Sequence, residues 1–384
     1  MSKRHSDVDS YTITIKKQKV NEKDKQKEGE EDHEEGECCH SESSDTDDST
    51  ESEDPIDLDA DYFKSINESL FEKITITKTV KTLVDLIELG KMYQPFKIYN
   101  IDMKTLHQLV EPLTELQNMI GMESVKQEIV DHILFRIQGL DERHQTMMHT
   151  VIEGPPGTGK TEVARIIARI YLSMGILKNN KFVKATRSNL IAGYLGQTAI
   201  LTQKVINSAS GGVLFIDEVY SLGNSEKRDS FSKECIDTIN ENLTERKNDF
   251  ICIIAGYKQD ILECFFSYNA GLERRFPIRF KMDEYTPPEL FKIFQKKVND
   301  GGWVVDDTIH LDFFEKNKKT FHFFGGDMEI LFNSCKRAHS RRIFCTDSIK
   351  KRITMTDLER GYESFCNHRK KKEDETGVWR TMYI

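Results

Sequence analysis

The stretch "TVIEGPPGTGKTEVARIIARIYLSMG", residues 150 to 175, decides the fold. It opens on a short apolar run, turns through glycines, and closes on a helical repeat with Val163, Ile166, Ile167, Ile170 and Tyr171 on one face. The turn, "GPPGTGKT" (154 to 161), fits G-x-x-x-x-G-K-[ST] and has a strand before it and a helix after it, as that motif requires. Glycines let backbone N–H groups wrap a phosphate chain, which also meets the positive end of the helix. Gly154, Pro155, Pro156, Gly157, Thr158 and Gly159 are therefore expected to cradle a nucleotide. Lys160 is expected to reach its β and γ phosphates, and Thr161 to hold Mg²⁺.

Further along, "GVLFIDE" (212 to 218) is an apolar strand ending in two carboxylates. After a phosphate loop, with one strand between, Asp217 is placed to position Mg²⁺ and Glu218 to polarise an attacking water. Other buried-strand patterns are "KFVKAT" (181 to 186), "FICIIAG" (250 to 256) and "FPIRF" (276 to 280). Strands separated by helices predict a parallel sheet covered on both faces, an α/β core over residues 113–286. From "YTPPEL" onward strands are scarce, which predicts a helical subdomain over 287–367 and a loose tail over 368–384. Residues 61–112 carry helical spacing, such as Val80, Leu83, Val84 and Ile87, and no chemistry.

Charge is unevenly spread. Residues 21–60 hold 18 acidic and 3 basic side chains, and residues 1–20 carry a net +3. Against −9 for the whole chain, this leaves residues 61–384 at +3. The stretch "EEDHEEGECCHSESSDTDDSTESED" cannot bury enough apolar surface to order itself, so residues 1–60 read as a disordered acidic arm. Ser44 and Thr50, each with acid three residues on, suit an acid-directed kinase, although a plain solubilising tail explains them as well. His33, Cys38, Cys39 and His40 lack a CxxC pair and make a poor metal site. The eight cysteines show no disulfide framework, and no apolar run spans a bilayer. A soluble protein of a reducing compartment, cytoplasm or nucleus, is expected.

The stretches "GPPGTGKTEVAR", "LIAGYLGQTA", "GGVLFIDEVYSL", "FSKECIDTINENLTERKNDFICIIAGY" and "NAGLERRFPIRF" resemble the AAA+ ATPases, and more narrowly the CbbX (CfxQ) and stage V sporulation protein K subfamily. The resemblance covers about Leu116 to Phe365. It implies an AAA+ P-loop core with a C-terminal helical lid, ATP hydrolysis with Mg²⁺, and a homo-oligomeric, hexameric ring that remodels a protein substrate. Ile120 and Gly121 of "NMIGM" fall on the adenine-pocket segment. Arg275, with Arg274 beside it, falls on the arginine that acts on a neighbouring subunit's γ-phosphate. Tyr194, followed by Leu195, falls on the substrate-gripping loop of the central channel.

Two features depart from the family pattern. Tyr257 stands near the polar residue that many relatives use to orient water, and Met328 stands where a lid arginine senses the γ-phosphate. Lys336, Arg337 or Arg341 could replace that arginine, or the lid could couple weakly to ATP. Two other functions remain open on the sequence. A nucleic-acid motor would need cations in the channel loop, and none lies between Arg187 and Lys204. A slow nucleotide-gated scaffold would be recognised by a near-zero turnover.

Overall fold

The computed structural model describes residues 72–140, 147–194, 196–224, 226, 229–345 and 350–381. The acidic arm, with Ser44, Thr50 and the His33, Cys38, Cys39, His40 group, lies outside these residues, as does Leu195. Along the chain come β1 (Glu72–Ile74), α1 (Leu83–Lys91), β2 (Lys97–Tyr99), α2 (Met103–Gln117) and α3 (Glu123–Ile137). The central layer follows as β3 (Thr150–Glu153), α4 (Lys160–Ser173), β4 (Phe182–Ala185), α5 (Arg187–Leu190), α6 (Thr198–Ser208), β5 (Val213–Ile216), α7 (Ser230–Glu245), β6 (Ile251–Gly256), α8 (Lys258–Cys264) and β7 (Ile278–Lys281). The C-terminal part contains α9 (Pro287–Asp300), β8 (Val304–Val305), α10 (Leu311–Lys316), α11 (Phe324–Ile343), β9 (Arg352–Ile353) and α12 (Met355–Thr381).

The five strands β3 to β7 form one sheet in the order β4-β5-β6-β3-β7, and every pairing in it is parallel. Every residue of β5 (VLFI) and β6 (ICIIAG) is buried, as expected for central strands covered on both faces. Helix α4 turns Val163, Ala164, Ile166, Ile167, Ile170 and Tyr171 inward, and α7 does the same with Cys235, Ile236, Ile239 and Leu243. Among the described residues the six cysteines are free, and no helix is long and apolar enough to cross a membrane.

The chain divides into two compact units. In the smaller one, β1 pairs in parallel with β2, and the Asn100 side chain extends this ladder by accepting from the Ile76 N–H (2.7 Å) and donating to its carbonyl (3.1 Å). The region read as helical from its spacing therefore also contains strands. In the larger unit, α2 runs without a break through Pro112 to Gln117, so no element boundary falls at 112. At the other end, α12 continues to Thr381, past the point where a tail was expected.

The C-terminal helices begin at a Thr286–Glu289 capping box with proline in the first turn. They pack through an aromatic core that includes Phe294, Phe314, Phe321 and Phe365. Buried Asp357 ties α12 to α11. It accepts from Arg342 (2.8 Å) and His339 (3.0 Å), and from the Thr354 N–H and hydroxyl. Burial opposes its charge, but these bonds prevail and hold its carboxyl down at about 2.

His149, fully buried just before β3, replaces a missing stretch of ladder. Its Nδ1 accepts from the Cys252 N–H (3.0 Å), which leaves the Nε2 proton to be donated to the Leu243 carbonyl (3.0 Å). Burial lowers its pKa to about 4, from an ordinary value of 6.5. The unfolded chain takes up this proton below about pH 6.5 while the folded chain refuses it down to about 4, so stability falls with pH across that window. In urea unfolding, His149 is expected to cost about 3 kcal/mol on going from pH 7 to 4, and His149→Gln should flatten that dependence while lowering stability at pH 7.

Candidate active site

Parallel pairing brings the carboxyl ends of β3, β5 and β6 to one edge of the sheet, and the site is built there. The Gly154 N–H donates to the Gly256 carbonyl (3.1 Å), which holds the start of the phosphate loop against β6. Gly157 (φ +75°) and Gly159 (φ +91°) take the left-handed backbone that reverses the chain into α4. Thr158 Oγ1 donates to the Pro155 carbonyl (2.8 Å) and closes the turn. Lys160 Nζ reaches back over the loop and donates to the carbonyls of Gly154 (3.0 Å) and Pro155 (2.9 Å). Burial lowers the Lys160 pKa, and nearby Glu218 and Asp217 oppose that shift.

Across from the loop, Thr161 Oγ1 lies 3.4 Å from Asp217 Oδ2. A hydroxyl and a carboxylate are hard oxygen donors, and among the described residues no group of three His, Cys, Asp or Glu could cage a metal. This donor set fits a small cation that keeps waters and phosphate oxygens in its shell, as Mg²⁺ does. Glu218 has a left-handed backbone (φ 50°), and its Oε2 accepts from the Tyr220 hydroxyl. Burial raises the Glu218 pKa, with Lys160 opposing and Asp217 adding to the shift. Tyr257 caps α8 at the end of β6, with its ring centroid 5.5 Å from Lys160 Nζ. Of the expected site residues, Gly154 to Thr161, Asp217 and Glu218 thus converge with Tyr257.

The segment with Ile120 and Gly121 runs beside the loop. Gly121 (φ +70°) packs against Glu289 and Tyr285, and a Cβ on Gly159 would stand 3.4 Å from the Met122 methyl. Ile120 is half-buried there. Arg275 lies elsewhere. It precedes β7, whose first residue, Ile278, pairs with Thr150 at the amino end of β3, whereas the phosphate loop leaves the carboxyl end. Its guanidinium donates to Thr244 Oγ1 (2.6 Å) and to the Gly271 carbonyl (2.8 Å). Tyr194 stands in a segment between α5 and α6 and is 74% exposed.

The lid meets the loop through backbone. The Gly325 N–H at the start of α11 donates to the Gly157 carbonyl (3.1 Å), and the buried Tyr285 hydroxyl donates to the Thr158 carbonyl (3.0 Å). Met328 is buried within the lid. Arg337 and Arg341 lie 12 and 16 residues beyond Gly325, roughly 18 and 24 Å along the helix at its usual rise. They line a cavity of about 590 Å³ with Arg360 and His368, between α11 and α12, while Lys336 lies over Phe332. None of the three takes the place expected of a γ-phosphate sensor. Three site residues escaped the sequence reading: Lys184, whose Nζ is 2.7 Å from Asp217 Oδ2, Tyr220 and Tyr285. Of these only Lys184 left a signal, as the one charge in the interior of an apolar strand.

A strand–loop–helix that cradles phosphate, opposite an Asp–Glu pair on a parallel sheet, defines a P-loop ATPase. The family model for ATPases associated with various cellular activities (AAA) matches residues 150–282. A putative cfxQ-like protein of Acanthamoeba polyphaga mimivirus is 44% identical over 310 residues, covering 79% of this chain and 76% of that one. The chain belongs to the AAA ATPases, in their cfxQ-like group. Stage V sporulation protein K of Bacillus subtilis (strain 168) is 35% identical over 193 residues, covering 48% of this chain and 59% of that protein. ESX-1 secretion system protein EccA1 of Mycolicibacterium smegmatis is 36% identical over 208 residues, and the chain spans only 36% of its length. Among solved structures, the FIGL-1 AAA domain in complex with ADP matches with TM-score 0.46 and 22% identity, over 65% of this chain and 83% of that one.

A Cβ at residue 157 would stand 2.0 Å from the Phe323 carbonyl oxygen, and the backbone there is left-handed. Gly157→Ala must therefore push the lid off the loop, at a cost of about 1–3 kcal/mol. We expect a lower melting temperature and an affinity for a fluorescent ADP analogue reduced about tenfold or more, the scale of that cost.

Proposed function

We propose that this ATPase works as a homo-oligomeric ring, six-membered by its family resemblance, that grips a polypeptide in its channel and remodels it. The observation that carries this reading is the exposed Tyr194. It stands in a stretch from Asn189 to Gln203 without a charged residue and is flanked by Gly193 and Gly196, whose surroundings are open. An aromatic ring there can hold an extended peptide by burying apolar area whatever the sequence. With 74% of its surface open to solvent, the ring is accessible to such a peptide.

The chemistry follows from the site. Lys160 leaves its carbonyl partners for the β and γ oxygens of ATP, and the loop N–H groups hold the phosphate chain. Glu218 accepts the proton of the water that attacks the γ-phosphorus as the bond to the β-phosphate oxygen breaks. Mg²⁺, held by Thr161 and Asp217, would supply neutralisation of the developing phosphate charge. Arg275 begins at the far end of β7 from its own phosphate loop, about 13 Å of strand away, which supports action on a neighbour's γ-phosphate.

Relatives named for sporulation and secretion are compatible with protein substrates. A nucleic-acid motor is the second reading, favoured by Arg337, Arg341 and Arg360 around the lid cavity. DNA binding that weakens steeply with salt in a filter assay would favour it.

Glu218→Gln should cut ATP turnover at least about a hundredfold, the scale of general-base catalysis, while leaving ATP bound. Turnover at the wild-type rate would remove Glu218 from the mechanism. Arg275→Ala should lower turnover while monomer folding is retained. Tyr194→Ala should abolish remodelling of proteins captured by the Glu218→Gln form and spare basal hydrolysis. If both activities survive, the loop has no gripping role.

A further inference from the structure

We propose that Lys184 is a positioning residue that competes with the divalent cation for Asp217 and thereby ties cation binding to the segment carrying Tyr194. The proposal rests on the reading of Asp217 as the metal-positioning carboxylate.

Lys184 lies in β4 opposite Phe215 of β5, and its ammonium is 5.8 Å from the centre of that ring. From there Nζ reaches Asp217 Oδ2 at 2.7 Å, the same oxygen that faces the Thr161 hydroxyl at 3.4 Å. Oδ2 is the Asp217 oxygen nearest the Thr161 hydroxyl, and so the one best placed for a cation held between the two residues. An ammonium and a dication held at one carboxylate oxygen repel each other, so each weakens the binding of the other. Lys184 is free to yield, because it is bound only through its tip and 43% of its side chain faces solvent.

Its withdrawal would be felt close by. The Asp217 N–H donates to the carbonyl of Ala185, the residue after Lys184. Thr186 then caps α5 through a box with Asn189, and Arg187 is pinned to Asp229 (2.7 Å) and to the carbonyls of Ser221 (2.7 Å) and Leu222 (3.0 Å). From Lys184 to Leu190 the chain is therefore held element to element, and the Tyr194 segment follows directly. A purely structural role for the ion pair would make the opposite demand: removing Lys184 would weaken the fold and leave the cation requirement alone.

The test uses the full chain and a fluorescent ADP analogue titrated with MgCl₂, with affinity in EDTA and melting temperature measured in parallel. Lys184→Met should lower the Mg²⁺ midpoint about two- to fivefold, the range of a half-exposed ion pair, with the affinity in EDTA of each variant taken as its own Mg²⁺-free baseline. Lys184→Arg should keep the wild-type midpoint, and Lys184→Gln repeats the charge removal should the Met variant not fold. In an Asp217→Asn background the Lys184 effect should vanish. Chymotrypsin cleavage after Tyr194 should change with Mg²⁺ in the wild type and do so at lower Mg²⁺ in Lys184→Met. An unchanged or higher Mg²⁺ midpoint in a folded Lys184→Met protein overturns the competition. Tyr194 cleavage indifferent to Mg²⁺ overturns the coupling. If Asp217→Asn alone leaves the Mg²⁺ midpoint unmoved, the reading of Asp217 fails first and the proposal falls with its premise.

Discussion

The all-parallel pairing of β4-β5-β6-β3-β7 is the constraint from which the rest of the site follows. Parallel strands must all deliver their chain at the same edge, so the groups that leave β3, β5 and β6 arrive together although they are far apart in sequence. Gly154 begins the phosphate loop there, Asp217 and Glu218 follow β5, and Tyr257 follows β6. The same rule sends Arg275, which comes before a strand, to the other edge. One topological fact thus separates the residues that meet at the phosphate loop from Arg275, which does not reach it.

Electrostatics at that edge is a contest between burial and pairing. Lys160 is disfavoured as a cation by desolvation, and Glu218 is disfavoured as an anion by the same cause. Each opposes the other's shift, so their proximity offsets part of what burial costs the two charges. The chain adds its own partners: loop carbonyls for Lys160, the Tyr220 hydroxyl for Glu218 and the Lys184 ammonium for Asp217. A polyphosphate bound there meets charges whose water has already been stripped, which makes each interaction stronger than it would be at an open surface.

Much of this was legible in the sequence because backbone rules write it there. Gly157 and Gly159 announce left-handed turns, and the runs VLFI and ICIIAG announce strands buried on both faces. Family membership was legible for the same reason, in an ordered series of such motifs. What escaped depends on tertiary placement. His149 looks like an ordinary residue before a strand, and only folding sets its ring between Leu243 and Cys252. The three-residue strands β1 and β2 lie in helix-like surroundings and are too short to show a period of two. The contact between Tyr285 and Thr158 joins residues 127 apart, and no local pattern encodes it.

The lid meets the phosphate loop through backbone, where the family resemblance implied a cationic side chain. Where a cationic sensor was expected, Met328 is buried in the lid's own core, and the arginines farther along α11 face α12. Contact with the phosphate loop is made instead by the Gly325 N–H on the Gly157 carbonyl, with the chain at Phe323 pressed so close that residue 157 has no room for a Cβ. A side-chain sensor acts through charge and reaches a flexible distance, so salt and small displacements weaken it gradually. A backbone contact this close has little slack, so a change in the shape of the loop at Gly157 has to be met by Phe323 and Gly325. The contact between the lid and the phosphate loop in this chain is therefore one of close backbone fit at Gly157.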